Sequence, residues 1–229
     1  MVFKPWQKRQ SFEFQVSINE QPILRVSETM FLGVFLDDNL TWKLHISLLA
    51  SKLSKSIGII HKSRFFLSTQ SLRTLYNSMI LPYLYYCNLA WGGTYKANLQ
   101  RIVILQKRAL RIVNNSTYDA NTSSIFKELK LLKFHDIHLF QLGFFMFSLK
   151  NSTLPSKFNN LFLINSQIHN YNTRNAHLFC LPLCRTNTRQ FSIYFQGPKF
   201  YNSLNSTITG SSSSASFKRK LKEFLLSTY

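Results

Sequence analysis

The stretch Phe31-Leu-Gly-Val-Phe-Leu-Asp37, followed by Leu40-Thr-Trp42-Lys43-Leu-His45-Ile46, marks a change of period in this chain. Upstream, Phe12-Glu-Phe-Gln-Val-Ser-Ile18 alternates apolar and polar residues, the pattern of a half-buried strand. Asn19-Glu-Gln-Pro22 is turn chemistry, and Ile23-Leu-Arg-Val26 and Met30 to Leu36 are further short strands. Downstream, Ile46, Leu49, Leu53, Ile57 and Ile60 recur three or four residues apart, while Lys52, Lys55 and Lys62 fall elsewhere on the helical wheel. The junction predicts a mainly α protein with a small N-terminal antiparallel β unit.

Helical signals continue beyond it. Ser68 and Ser71 are N-cap candidates for a helix through Leu72, Leu75, Tyr76 and Met79, which Pro82 kinks or restarts. Gly92-Gly93 breaks the chain. From Leu99 to Val113, Ile102, Leu105, Ala109, Ile112 and Val113 share one side of a helix, with Arg101, Lys107, Arg108 and Arg111 on the other. The polar run Asn114 to Asn121 reads as a linker and domain boundary. Ile125 to Leu132 and Asp136 to Lys150 are predicted helices. After Pro155 the sequence is irregular; Gln190-Phe-Ser-Ile-Tyr-Phe195 reads as a strand and Phe200 to Leu204 as a short helical turn. Ser211 to Ser214 is a flexible linker. Ser216 is expected to cap a last helix with the apolar stripe Phe217, Leu221, Phe224 and Leu225 and a polar face of Lys218, Arg219, Lys220 and Lys222.

With 229 residues, 45% hydrophobic and 15% aromatic, the chain has material for one or two small cores. Lys+Arg 28 against Asp+Glu 9 gives a formal net charge of +19. Self-repulsion of that size favours a polyanionic partner, and nucleic acid is the commonest. Three cysteines are too few, and an odd number, for a disulfide framework. Met1-Val-Phe-Lys-Pro places a charge and a proline where a signal peptide needs an apolar core, so an intracellular protein, nuclear or cytoplasmic and not secreted, is expected. The least charged stretch, Asn77 to Tyr95, contains Pro82, Asn88 and the Gly-Gly pair and reads as a buried core helix, not a membrane span.

Side chains with catalytic or ligand chemistry are sparse. Asp37-Asp38 are adjacent carboxylates, but two-metal phosphoryl transfer needs carboxylates converging from separate strands. Glu13, Glu20 and Glu28 are scattered, so the pair reads as a turn with Asn39 that caps the following helix. Cys180 and Cys184, with His169 and His177 upstream, are either buried cysteines or a weak zinc set; Pro182 interrupts the pair. The basic helix faces carry the main functional signal, because lysines and arginines on a helix can track phosphates without reading bases. Trp42 and Tyr83 to Tyr86 serve either as core aromatics or as stacking surfaces.

In order and spacing, these segments resemble the C-terminal part of the reverse transcriptase of a non-LTR (LINE-type, jockey-like) retrotransposon: palm end, thumb and post-thumb region. Met1-Val-Phe-Lys is similar to the last palm strand, and Phe31-Leu-Gly-Val to the family's Tyr-Leu-Gly-Val segment in the hairpin that supports the primer end. Trp42-Lys-Leu-His45-Ile46, Lys52-Leu-Ser-Lys55, Leu75-Tyr76, Leu81-Pro82-Tyr-Leu-Tyr-Tyr86, Trp91-Gly92 and Leu105-Gln106-Lys107-Arg108 are thumb-like. His169-Asn-Tyr171-Asn-Thr173-Arg174, Gly197-Pro-Lys-Phe-Tyr-Asn202-Ser-Leu204 and Ser216-Phe217-Lys218 are similar to the post-thumb region, with Tyr201-Asn202 where Trp-Asn is usual.

The resemblance implies a division into 1–40 (palm end and primer-support hairpin Phe31, Leu32, Gly33 and Val34), 41–115 (thumb-like bundle) and 116–229 (post-thumb region, with the serine linker at 210–215). It implies an RNA/DNA template-primer duplex as partner, held by Lys43, Lys52, Lys55, Lys62 and Arg64 on one segment and Arg101, Lys107, Arg108 and Arg111 on another. The polymerase palm would be a second partner. The family's catalytic carboxylates, a Tyr-Ala-Asp-Asp motif and an earlier Asp, would precede Met1. Mg²⁺ would belong with them, so this chain is expected to need no cofactor and to have no polymerase activity alone. The alternative is a basic helical protein that binds anionic membrane or a partner through a face such as Phe217 to Leu226.

Overall fold

A computed structural model describes residues 1–3, 16–168, 171 and 173–229. Two antiparallel hairpins come first. β1 (Val16–Ile18) pairs with β2 (Gln21–Ile23), and β3 (Glu28–Phe31) with β4 (Val34–Asp37). They form two separate two-stranded sheets. The strand expected over Phe12 to Ile18 is described only from Val16. The strand expected from Met30 to Leu36 is two strands folded back on each other. Its centre is a two-residue turn, Leu32-Gly33, with Phe31 opposite Val34. Both turn residues have positive φ, 47° and 77°, as a type I′ hairpin turn requires. Gly33 adopts this freely, whereas Leu32 is strained. Leu32 is also 72% exposed. Leu32→Asn is therefore expected to stabilise the hairpin by about 0.5–1 kcal/mol, read as slower amide exchange across Phe31 and Val34.

The helices follow in chain order: α1 (Lys43–Ser63), α2 (Thr69–Met79), α3 (Leu81–Tyr85), α4 (Asn88–Trp91), α5 (Lys96–Val113), α6 (Thr122–Glu128), α7 (Phe134–Lys150), α8 (Asn165–Ile168), α9 (Asn187–Phe191), α10 (Ile193–Asn202), α11 (Ser206–Thr209) and α12 (Ser214–Ser227). A 3₁₀ turn spans Ser156–Leu161. Ser68 caps α2 as expected, its hydroxyl accepting from Ser71 N at 3.2 Å. Pro82 sits in the first turn of α3 and restarts the helix there. α5, α6 and α7 all end in a Schellman motif, with Asn115, Lys130 and Ser152 in the left-handed position.

α1 packs chiefly on α5, and Ile46, Leu49, Leu53, Ile57 and Ile60, the residues its period singled out, are buried. α7 lies at the centre, in contact with α3, α4, α5, α10 and α12. The core is continuous across residues 114–121: Trp91 stacks on Phe134 at 5.5 Å between ring centroids. Gly143 and Gly197 permit the close helix approaches. A Cβ on Gly143 would lie 2.7 Å from Leu221, and one on Gly197 2.8 Å from Met146.

Three expectations are corrected in the C-terminal half. Gln190 to Phe195 is not a strand but the end of α9 and the start of α10, with extended Ser192 between them: Thr186 accepts from Arg189 N to start α9, and α10 then packs on α7. Tertiary packing has overridden β propensity here. The turn expected at Phe200 to Leu204 belongs to the longer helix α10, whose Asn202 side chain clips the backbone of Phe179. Its Oδ1 accepts from Phe179 N at 3.1 Å, and its Nδ2 donates to Phe179 O at 2.8 Å. The last helix is capped by Ser213, whose hydroxyl accepts from Ser216 N, not by Ser216.

Candidate nucleic-acid interface

The hairpin tip is tied to the helices at one point. Tyr86, just after α3, donates its hydroxyl to Leu32 O at 2.5 Å, and its ring lies 3.8 Å from where a Gly33 Cβ would be. The other end of the hairpin is held by Asp37. Its carboxylate accepts from the backbone N–H groups of Asn39, Thr41 and Trp42 at 3.2, 2.9 and 2.9 Å. This fixes the turn into α1, where Leu40 and Trp42 take positive φ. Asp38 accepts from Asn39 Nδ2. The adjacent carboxylates are thus spent on a turn, the role their sequence context suggested. Asn98 of α5 donates to Thr41 O at 3.2 Å and secures the same turn from the opposite helix. Between hairpin, α1 and α3 lies a cleft of about 350 Å³, lined in part by Phe35, Leu48, Tyr83 and Tyr86, with His45 and Lys52 as its basic members.

The predicted basic residues lie mainly on the outside. Lys43, Lys52, Lys55 and Lys62 of α1 are exposed, as are Arg101 and Arg108 of α5. Lys107 is half-buried. Arg64, at the end of α1, sets its guanidinium 4.9 Å from the Phe65 ring centroid. Arg111 donates Nε–H to Ala120 O at 2.9 Å and lies over Tyr118, so it also staples the 114–121 segment. Tyr83 and Tyr86 are exposed, Leu84 is fully buried, and Trp42 is half-buried against the core. The Tyr86–Leu32 and Asn98–Thr41 links have no local signature, because each joins residues more than fifty positions apart.

Electrostatics around the core are set by burial. His138 of α7 sits between two amides, with Nδ1 2.8 Å from Asn88 Oδ1 and Nε2 2.9 Å from Gln196 Oε1. Desolvation lowers its pKa, as it does that of His45, where the nearby Lys52 adds to the effect. Each folded-state value lies below the unfolded 6.5, so on acidification the unfolded chain takes up protons first. The stability these neutral imidazoles contribute is present above pH 6.5 and lost as pH falls through the range beneath it. The melting temperature should drop between about pH 7 and about pH 5, by on the order of 2–4 °C per kcal/mol lost. His138→Gln should flatten that drop. Asp136, raised by burial, accepts from the Tyr229 hydroxyl at 2.6 Å.

Cys180 and Cys184 are half-buried, and Cys184 Sγ approaches Pro182 O at 3.5 Å. His177 is exposed and His169 lies outside the described residues. Among the described residues no three His, Cys, Asp or Glu side chains are grouped to hold a metal ion, and no helix is long and apolar enough to cross a membrane. The stripe Phe217, Leu221 and Leu225 is buried, with Phe217 stacked on Phe147 at 4.3 Å. That corrects the alternative in which this face docks on membrane or partner: it is already used inside the molecule.

The "RNA-directed DNA polymerase from mobile element jockey" of Drosophila melanogaster is 30% identical to this chain over 125 residues, which are 53% of this chain and 14% of that protein. Its Drosophila funebris counterpart is 28% identical over 124 residues, 53% and 14% of the two chains. The chain is related to the RNA-directed DNA polymerases of non-LTR retrotransposons. A third such relative, the "Probable RNA-directed DNA polymerase from transposon X-element" of Drosophila melanogaster, is 26% identical over 125 residues, again 53% and 14%. The matched region thus spans about a seventh of the length of these retrotransposon polymerases. No family model matches the chain, and no solved structure matches it significantly.

Proposed function

We propose that this chain is the nucleic-acid-gripping part of a retrotransposon reverse transcriptase and holds template-primer duplex without performing the chemistry. The observation that carries this reading is the pairing of polymerase relatives with a +19 chain in which Lys43, Lys52, Lys55 and Lys62 of α1 and Arg101 and Arg108 of α5 face solvent. The carboxylates of Asp37 and Asp136 accept hydrogen bonds from uncharged donors. Lys43, Lys52, Lys55, Lys62 and Arg64 would follow one strand, and Arg101, Lys107, Arg108 and Arg111 the other, through phosphates alone. The hairpin tip at Phe31 to Val34, anchored by Tyr86, would rest against the primer end.

The outer hairpins expose Ile18, Ile23, Leu24, Met30 and Phe31, apolar surface of the kind a protein partner covers. The polymerase palm is the partner that the relationship suggests, and Mg²⁺ would enter with it.

The test is binding of an RNA–DNA hybrid duplex to the full chain across a salt series, alongside nucleotide incorporation. Steep salt dependence without incorporation is expected. Neutralising Lys52, Lys55, Arg101 and Arg108 with glutamine should flatten the log–log slope by about 3 to 4, near 0.9 per phosphate contact. A folded chain with no affinity at low salt would sink the reading.

A further inference from the structure

The cleft between the hairpin, α1 and α3 has a volume of about 350 Å³, within the range of small-ligand sites. Three elements supply its lining. On α1, His45, Leu48 and Lys52 lie three and then four residues apart, so they share one face of the helix. α3 and the residue that follows it bring Tyr83 and Tyr86, and Phe35 of β4 comes from the hairpin. Tyr86 is held in place, because its hydroxyl donates to Leu32 O. Tyr83 keeps an exposed ring.

His45 is the unusual member. It is only 8% exposed, packs edge-on against Trp91 and lines the cleft. Among the described residues its ring nitrogens have no hydrogen-bond partner. Buried polar groups are normally paired, and a polar ligand atom in the cleft would complete this one. Burial lowers its pKa and keeps the ring neutral, so it offers one donor and one acceptor. Lys52 adds an exposed ammonium group, and no carboxylate is present among the described residues of the lining. Aromatic faces, a neutral imidazole and an unopposed cation therefore meet in one concave site.

We propose that this cleft takes one unpaired nucleotide at the end of a strand, with its base among Phe35, Tyr83 and Tyr86, a base-edge atom at His45 and its phosphate at Lys52. This rests on the nucleic-acid reading above and specifies the strand end that the site prefers. Aromatic side chains stack on any base, because every base has a π-face. The ammonium group serves the phosphate and carries no sequence preference. A base inside the duplex is covered by its neighbours and its partner, whereas an unpaired terminal base enters without the cost of unpairing. A lipid surface fits less well, since interfacial binding needs a protruding apolar face. An aromatic side chain of a protein partner would stack in the same way but would bring no phosphate to Lys52.

The experiment compares two RNA–DNA hybrids on the full chain at one salt concentration: one blunt, the other carrying a single unpaired 2-aminopurine nucleotide at a 3′ end. Wild type should bind the overhanging hybrid about tenfold tighter, and the 2-aminopurine emission should fall on binding as the base stacks. Tyr83→Ala should remove that preference and leave blunt-duplex affinity unchanged, while Tyr83→Phe should keep it. His45→Phe, which retains a ring against Trp91 but no hydrogen-bonding atom, should weaken the preference without moving blunt-duplex affinity. Equal affinity of wild type for the two hybrids overturns this site, turns attention to a protein occupant and leaves the wider reading standing. A preference that survives both Tyr83→Ala and His45→Phe also overturns it. So does an equal loss on both hybrids in Tyr83→Ala, which would give the ring a structural role. No binding of either hybrid by folded wild type overturns both readings.

Discussion

Trp91→Ala is expected to cost about 3–5 kcal/mol of stability, a large share of the 5–15 kcal/mol typical of a domain. Trp91 is fully buried, stacked on Phe134 of α7 and edge-on to His45 of α1 at 5.4 Å. Its indole N–H donates to Tyr86 O at 3.0 Å. Alanine would leave a cavity where α1, α4 and α7 meet and would free the Tyr86 carbonyl. Tyr86 also anchors the hairpin tip through Leu32 O. The substitution should therefore loosen the hairpin as well as lower global stability. Denaturant unfolding measures the global loss, and amide exchange at Gly33 and Val34 measures the local one. A loss below about 1 kcal/mol would contradict the burial of this ring.

Phe217→Ala should have a comparable effect, about 3–5 kcal/mol, for a different reason. Phe217 is fully buried and is the hinge pin of α12. It stacks on Phe147 at 4.3 Å and lies 6.3 Å from the Tyr201 ring, joining α7, α10 and α12. Without it, α12 keeps only Leu221 and Leu225 as fully inward residues. Proteolysis within α12 should accelerate sharply while α1 and α5 remain protected. Equal proteolysis of wild type and variant would show that α12 is not docked. Trp91 and Phe217 contact different partners, so the two losses should be close to additive.

Much of this architecture was legible in the sequence where a local rule governs. The helical period from Ile46 to Ile60 named the large apolar residues of the buried face of α1, though not His45, Ala50 and Ser56, which are buried with them. Ser68 was readable as a cap, and Asp37 as a turn residue, because their bonds close within five positions. The Leu32-Gly33 turn was hidden from residue pattern, since a leucine at positive φ contradicts propensity and the flanking residues are apolar throughout; the resemblance alone placed a hairpin there. Gln190 to Phe195 misled in the opposite sense: its β-forming residues are helical because α7 supplies the surface on which α10 packs.

The candidate site divides along the same line. Exposed cations on α1 and α5 follow from wheel position, which one segment determines. The Tyr86 anchor depends on how distant segments pack, and no spacing rule reports that.

The central position of α7 has a consequence for how the protein is made. Its apolar surface is closed by α3, α4 and α5, synthesised before it, and by α10 and α12, synthesised after it. A ribosome adding roughly 5–20 residues per second needs several seconds to pass from α7 to the end of α12. Throughout that interval the nascent chain shows Met146 and Phe147 without the α10 and α12 residues that pack on them. The newborn chain is thus a natural client for chaperones, and its yield in a cell should depend on translation speed across residues 150–214 more than on the speed of any earlier segment.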